Sequence, residues 1–464
     1  MGRVCRGIEI ARFGGEFMNR VAVLNVVGLT KAVLKHMPRL QKWAESRELV
    51  SFKPAFPAVT CTAQSSYLTG KPVGDHGIVG NGWYDREDAE VKFWKQSNHL
   101  VKGEKVWEGL EQSCAKMFWW YNMYSSADFS ATPRPLYPAD GRKFFDIHTQ
   151  PMGMREEMKS DLGDFPFPSF WGPNAGIPSS KWIAESAKWI ERKESPGLNL
   201  VYLPHLDYGL QKYGPDAPEM DAEYAAIDEV TCDLIEELEG KGVEVLVLSE
   251  YGISKVSKAI HLNRIFREKG WIQVKDELGL ETLDCGGCQA FAVADHQVAH
   301  VYVNEDSIAE EVRKVVLETE GVEEIREGED LWGEGVGRER GGDFVAVSES
   351  EAWFTYYYWM DDATAPDYAR CIDIHRKPGY DPVELFLDPE IKFPLLKIGG
   401  FLAKKKLGFR GLMDVIPLDA DLVKGSHGRD DVEEEEQPVA IGVGVEKVDK
   451  AETVFEWIQE RCRS

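Results

Sequence analysis

The amino-acid sequence predicts an α/β protein, a three-layer α/β/α sandwich with a mostly parallel central sheet and added insertions. Three observations carry this. Short apolar, β-branched runs recur and end in polar residues: "VAVLNVVGL", "LNLVYLPHLD", "VEVLVLSEYG", "AHVYVN" and "PVAIGVG". Such runs, bounded by turn signals, read as buried strands. Between the second and third, Tyr224, Ile227, Val230, Leu234 and Leu238 recur every three or four residues and Gly240 closes the segment, the pattern of a helix with one buried face. Strand, helix, strand is a βαβ unit, which implies parallel strands covered on both faces. Finally, 464 residues suffice for one large α/β domain carrying insertions.

Along the chain, residues 1–17 lack the continuous apolar core of a signal peptide. They are expected to form a non-core extension, with Met18 as the functional start and the domain running over 18–464. The first strand, "VAVLNVVGL", carries Asn25. Next comes "TCTAQSSYLTG", with five Ser and Thr hydroxyls from Thr60 to Thr69, followed by "HGIVGN" and Asn81. A core strand has no use for so many small hydroxyls; a helix starting after Thr60 and a functional loop fit them better. Two aromatic-rich stretches, about 118–182 and about 330–410, interrupt the strand pattern and are expected to be lid-like insertions, with extra core packing an equal alternative. The polar residues at strand ends are where open α/β sheets place ligands. "DDVEEEEQ" is an acidic surface loop, and no solenoid repeat is present.

The net charge of −25 argues against nucleic acid or an anionic membrane surface as the main partner, while leaving a small phosphorylated substrate open. The longest apolar runs are strand-sized, so no membrane segment is expected. Eight cysteines without a signal suggest reduced thiols in a cytoplasmic protein. Cys285-Gly-Gly-Cys288 has no second CxxC beside it and reads as a loop with two incidental thiols. The oligomeric state is left open.

The segments "TCTAQSSYLTG" and "HGIVGN" resemble the alkaline phosphatase superfamily, specifically its nucleotide pyrophosphatase/phosphodiesterase branch, and further landmarks follow in the same order to "GSHG". The resemblance implies an alkaline-phosphatase-like fold and hydrolysis of a phosphate ester, phosphodiester or pyrophosphate bond. It makes Thr60 the nucleophile and Asn81 the ligand of a phosphoryl oxygen. The chemistry agrees: a threonine hydroxyl needs activation by a base or metal, and a helix starting at Thr60 directs free N–H groups at a phosphate. Helix capping by Thr60 and Thr62 is the plainer reading, and Thr62 is the local rival as nucleophile. A phosphoryl or nucleotidyl transferase or mutase, and a non-catalytic phosphometabolite- or protein-binding member, are the alternatives.

The resemblance also implies a divalent metal ion, one or two in number, as manganese, magnesium or zinc. The aligned ligand positions are Asn25, Asp207, Gln211, Glu250, Tyr251 and His427. Three of them, Asn25, Gln211 and Tyr251, stand where the family has Asp, His and His. Loss of imidazoles disfavours zinc, and oxygen ligands suit magnesium, calcium or manganese. His205, placed on the same strand end as Asp207, and Asp295, His296 and His375 are possible replacements, with the Asp295–His296 pair favoured. His300 and Asp373 accompany them, and Arg376 and Lys377 are expected to meet phosphate.

Overall fold

The computed structural model describes residues 19–140 and 142–464; the expected 1–17 extension and Met18 lie outside the described residues. An eight-stranded sheet forms the centre, in the order Glu48–Ser51, Val439–Gly442, Glu244–Leu248, Val21–Val26, Leu198–Leu203, Cys114–Met117, Phe129–Pro133 and Ile147–Gln150. The five strands from Glu244–Leu248 to Phe129–Pro133 run parallel, and the flanking strands are antiparallel to their neighbours. All six residues of Val21–Val26 are buried, as a strand covered on both faces requires. Helices Ile177–Lys193 and Met220–Glu239 pack together against this sheet, and Thr60–Thr69 packs with Thr453–Arg463.

The βαβ unit is present, with the helix at Met220–Glu239 between its two strands. Those strands are parallel but not neighbours. Val21–Val26 lies between them, pairing Asn25 with Tyr202 on one side and Leu248 on the other. "AHVYVN" does form a strand, Val298–Val303, but in a second, antiparallel sheet with Ala290–Asp295, Phe344–Ser348 and Val322–Glu327. That sheet has its own apolar core, where Trp353, Tyr356, Tyr357, Tyr358 and Trp359 are all buried.

The stretch at 118–182 is therefore not one lid. Phe129–Pro133 and Ile147–Gln150 extend the central sheet, Ile177–Lys193 covers it, and Trp119 is fully buried in the main core. Trp120 is half-buried, with its ring 4.7 Å from that of Trp94. The aromatic surplus serves two cores, because each sheet needs its own apolar layer. The second aromatic stretch divides the same way, packing over Trp353–Trp359 and becoming mostly exposed at Pro394–Lys406, where Ile398 still packs on that core.

Candidate active site

Three parallel strands end together, and the polar residues that follow them meet there. Asn25 lies within its strand, while Glu250 and Tyr251 follow the end of Glu244–Leu248. After Leu198–Leu203 the chain turns at Pro204 into the helix His205–Tyr213. Asp207 and Gln211 are four residues apart and share a face of this helix, so the Gln211 amide donates to Asp207 Oδ2 at 2.8 Å. His205 is only two residues from Asp207, which turns it about 200° away on a helix. It meets Glu223 instead, at 2.7 Å. The expectation that His205 joins Asp207 fails because this strand end is helical.

Thr60 opens the helix Thr60–Thr69, whose ten residues are all buried and which Gly70 ends at φ +64°. No side chain caps its N-terminus. Thr60 Oγ1 lies 2.8 Å from the Tyr251 hydroxyl, which donates to Asp207 Oδ1 at 3.3 Å. A phenol has one proton, and Asp207 takes it, so Thr60 is the donor in its bond to Tyr251. Thr62 is buried with no partner for its hydroxyl. One turn beyond Thr60, Gln64 donates to Glu250 Oε1 at 2.7 Å and accepts from the Trp120 amide at 2.8 Å. The Asn25 amide donates to the same Glu250 oxygen at 2.5 Å.

The second sheet completes the site. Its hairpin between Ala290–Asp295 and Val298–Val303 turns at His296, with φ +65°. Asp295 accepts from the Asn81 backbone at 2.8 Å, from the Asn81 side chain at 3.0 Å and lies 2.8 Å from His296 Nδ1. Asn81 Oδ1 in turn accepts from the Cys61 amide in the first turn of the Thr60 helix, at 3.0 Å. Gln297 donates its amide to the His427 carbonyl at 2.8 Å. Next to it Gly428 has φ +128°, and a Cβ there would lie 3.1 Å from Gln297 N, so the contact requires glycine. The rings of Tyr251, His427, His296 and Tyr380 form a continuous stack, with successive centroids 3.6, 3.7 and 3.6 Å apart. Tyr380 also donates to Gln211 Oε1 at 2.9 Å.

Four expected residues make their polar contacts elsewhere. His375 Nδ1 lies 3.2 Å from the Phe93 carbonyl, and buried His300 accepts from the Gly342 amide. Lys377 is buried between Asp381 and Glu384, each at 2.7 Å, so its charge is consumed internally. Arg376 is exposed near Asp367 and Asp373. The sequence reading missed Gln64 and Tyr380. Gln64 was detectable, being one helical turn from Thr60; Tyr380 carries no sequence signal.

Burial dominates the electrostatics. It raises Asp207 to about 7, Glu250 to about 8 and Asp295 to about 6, because a charged carboxylate loses its hydration. Burial also holds Tyr251 well above its ordinary value and His296 and His427 well below theirs. His427 Nδ1 lies 2.7 Å from the Ala58 carbonyl, which fixes the proton there and leaves Nε2 a bare acceptor. That nitrogen has no hydrogen-bond partner and lies 3.8 Å from Asp207 Oδ1.

The two halves of the site differ toward a metal ion. Around Asp207, the Gln211 N–H and the Tyr251 O–H point at the carboxylate that a cation would need, and burial keeps the phenol protonated. This half does not fit an ion. Around Glu250, the buried acceptors Asn25 Oδ1 and Glu250 Oε2 have no hydrogen-bond partner. Oxygen acceptors and one carboxylate fit a single hard cation. No group of three or more His, Cys, Asp or Glu placed for a metal occurs among the described residues.

Comparison with known proteins places this geometry. An uncharacterised pyrophosphatase/phosphodiesterase of Schizosaccharomyces pombe is 27% identical over 54% of this chain and 48% of its own length. The chain thus spans about half the length of that curated relative. Among solved structures, murine ectonucleotide pyrophosphatase/phosphodiesterase 5 aligns over 96% of this chain and 95% of its own, with 13% identity and a TM-score of 0.57. Phosphonoacetate hydrolase from Sinorhizobium meliloti 1021, in complex with phosphonoformate, aligns over 96% of both chains with 15% identity and a TM-score of 0.59. At those identities the likeness is one of fold: an α/β architecture with a large, mostly parallel sheet. The family model described as type I phosphodiesterase / nucleotide pyrophosphatase matches residues 21–381, from the first strand through the Tyr380 loop. The chain belongs to that family, a family of phosphoester hydrolases.

Proposed function

We propose that this chain hydrolyses a phosphodiester or pyrophosphate bond with Thr60 as the nucleophile. The observation that carries the reading is the chain of hydrogen bonds from Thr60 through Tyr251 to Asp207. The Thr60 proton passes to Tyr251 as the Tyr251 proton passes to Asp207, so the phenol itself never ionises. Asp207, at about 7, is a base suited to neutral pH. Thr60 Oγ1 bonds phosphorus as the bond to the leaving oxygen breaks, and that oxygen takes a proton from solvent. Water then attacks phosphorus, giving one proton to solvent as the Thr60–phosphorus bond breaks, and Thr60 regains its proton from Asp207 through Tyr251. The helix amides and the remaining N–H of Asn81 supply donors to the phosphoryl oxygens. A divalent ion held by Asn25 Oδ1 and Glu250 Oε2, manganese or magnesium by preference, would neutralise charge developing on the transferred group. Murine ectonucleotide pyrophosphatase/phosphodiesterase 5 in an inactive form is bound to AMP, so nucleotide esters are the first substrates to test. The seven described cysteines are all unpaired and buried, which supports a reducing, cytoplasmic setting.

The test is turnover of bis(p-nitrophenyl) phosphate by Thr60→Ala and Thr62→Ala. Thr60→Ala is expected to lose about 10³-fold or more in kcat at an unchanged melting temperature, with Thr62→Ala near wild type. The reverse pattern would move the nucleophile to Thr62. One observation favours binding without turnover: Asn25, Gln211 and Tyr251 stand where the family resemblance implies metal ligands. That reading gains if AMP binds by calorimetry while neither variant nor wild type releases nitrophenol.

A further inference from the structure

We propose that a surface built from the helix Pro394–Lys406 and the hairpin around Leu136 and Phe144 docks on an anionic lipid bilayer. Among the described residues, this is the one helix of eight or more residues that buries no side chain. Leu395 and Leu396 are 78% and 73% exposed, and Leu407 and Phe409 just beyond are 76% and 66% exposed. Several large apolar side chains exposed on one segment mark an interaction site. The segment is basic, although Lys397 pairs with Asp414 at 3.0 Å and Arg142 with Asp140 at 2.6 Å. Residues 391–413 carry six Lys and Arg and no Asp or Glu, in a chain of net charge −25.

The two segments are far apart in sequence but adjoin in space. The hairpin closes through two Leu136–Phe144 backbone hydrogen bonds, and Lys405 Nζ donates to the Lys143 carbonyl at 3.1 Å. It adds the half-exposed Phe144 and Phe145 and the basic Arg142 and Lys143. Within the helix, Leu395 and Leu402 share one face, which Lys406 joins at its C-terminal end, while Lys397 and Lys404 lie on the opposite side. An apolar face against a lysine face is the pattern of a helix lying in the membrane interface. Thirteen residues make a helix of about 20 Å, too short to cross a bilayer, and no described helix is long and apolar enough to span one. A second copy of the chain complements the patch less well. Its acidic loop, residues 433–436, offers charge without apolar surface and already pairs with Lys31 and Lys35. The overall negative charge, which argued against such a partner, does not describe this face.

The test is co-sedimentation of the full chain with phosphatidylcholine vesicles, with and without about 30% phosphatidylglycerol. Binding is expected to the anionic vesicles alone and to weaken with salt. Both Leu395→Asp/Leu396→Asp and Lys404→Glu/Lys405→Glu/Lys406→Glu should bind about tenfold or more weakly while melting as wild type. Equal binding to neutral vesicles, no binding at all, or variants that bind like wild type would overturn the proposal. So would a dimer in sedimentation velocity that the Leu395→Asp/Leu396→Asp variant dissolves, since a second copy would then occupy the surface.

Discussion

At Tyr251 the chain places a phenol where the family resemblance implies an imidazole, and the replacement changes what the residue does. It joins Thr60 to Asp207 by hydrogen bonds. Tyr251→Phe keeps the ring stacked on His427 but removes the proton path, so kcat should fall about 10²-fold or more with little change in KM. The buried carboxyls add a pH dependence. Asp207 and Glu250 ionise at about 7 and about 8 in the fold, against roughly 4 in an unfolded chain. Between those limits the folded protein holds protons that the unfolded chain has lost, so stability falls as pH rises from about 4 to about 8. Glu250→Gln should flatten the upper part of that fall, read as melting temperature at several pH values. Catalysis moves the other way, rising through about pH 7 as Asp207 becomes the ionised base. The triple change Asn25→Asp, Gln211→His and Tyr251→His removes the donors aimed at the carboxylates and should raise zinc affinity, measured by calorimetry. Tighter zinc binding by the unchanged protein would contradict the donor argument.

At the scale of elements, short connections decide which side chains meet. The helix Thr60–Thr69 brings Thr60 and Gln64 onto one face, and the hairpin at His296 delivers Asp295 to Asn81. Gly428→Ala should loosen that hairpin, costing about 1–3 kcal/mol through its positive φ and the contact with Gln297. Chemical denaturation measures the loss. Trp119 and Trp120 test the division of the aromatic stretch. Trp119→Ala should cost about 3–5 kcal/mol, because the ring is wholly buried in the main core. Trp120→Ala should cost less, because its ring is only half-buried against Trp94 and the backbone N–H that holds Gln64 is kept; any effect on activity should then appear in KM. Equal stability losses in the two variants would end that distinction.

For the molecule as a whole, the site is a seam between two cores. The central sheet supplies Asn25, Asp207, Glu250 and Tyr251, and the second sheet supplies Asp295 and His296. The Tyr380 loop closes it and is anchored by Lys377 between Asp381 and Glu384. Removing that lysine leaves two buried carboxylates without a counter-charge, so Lys377→Met should destabilise the fold by about 3–5 kcal/mol. A change below about 1 kcal/mol would show that the triad is dispensable.

The sequence by itself determined the architecture and the nucleophile candidate. Apolar runs and one helical period are local patterns that follow from backbone periodicity, whereas Thr60 and Asn81 were marked by the family resemblance of their segment. It also showed that Asn25, Gln211 and Tyr251 depart from the metal-binding pattern. Tertiary structure alone decided where each donor points. Gln211 and Tyr251 face Asp207, His205 turns to Glu223 and Lys377 is spent on two carboxylates. Composition left the aromatic stretches open between lids and extra core packing, whereas packing against two separate sheets placed most of those rings in cores. Side-chain direction and burial depend on which distant elements come together, and that information is not periodic along the chain.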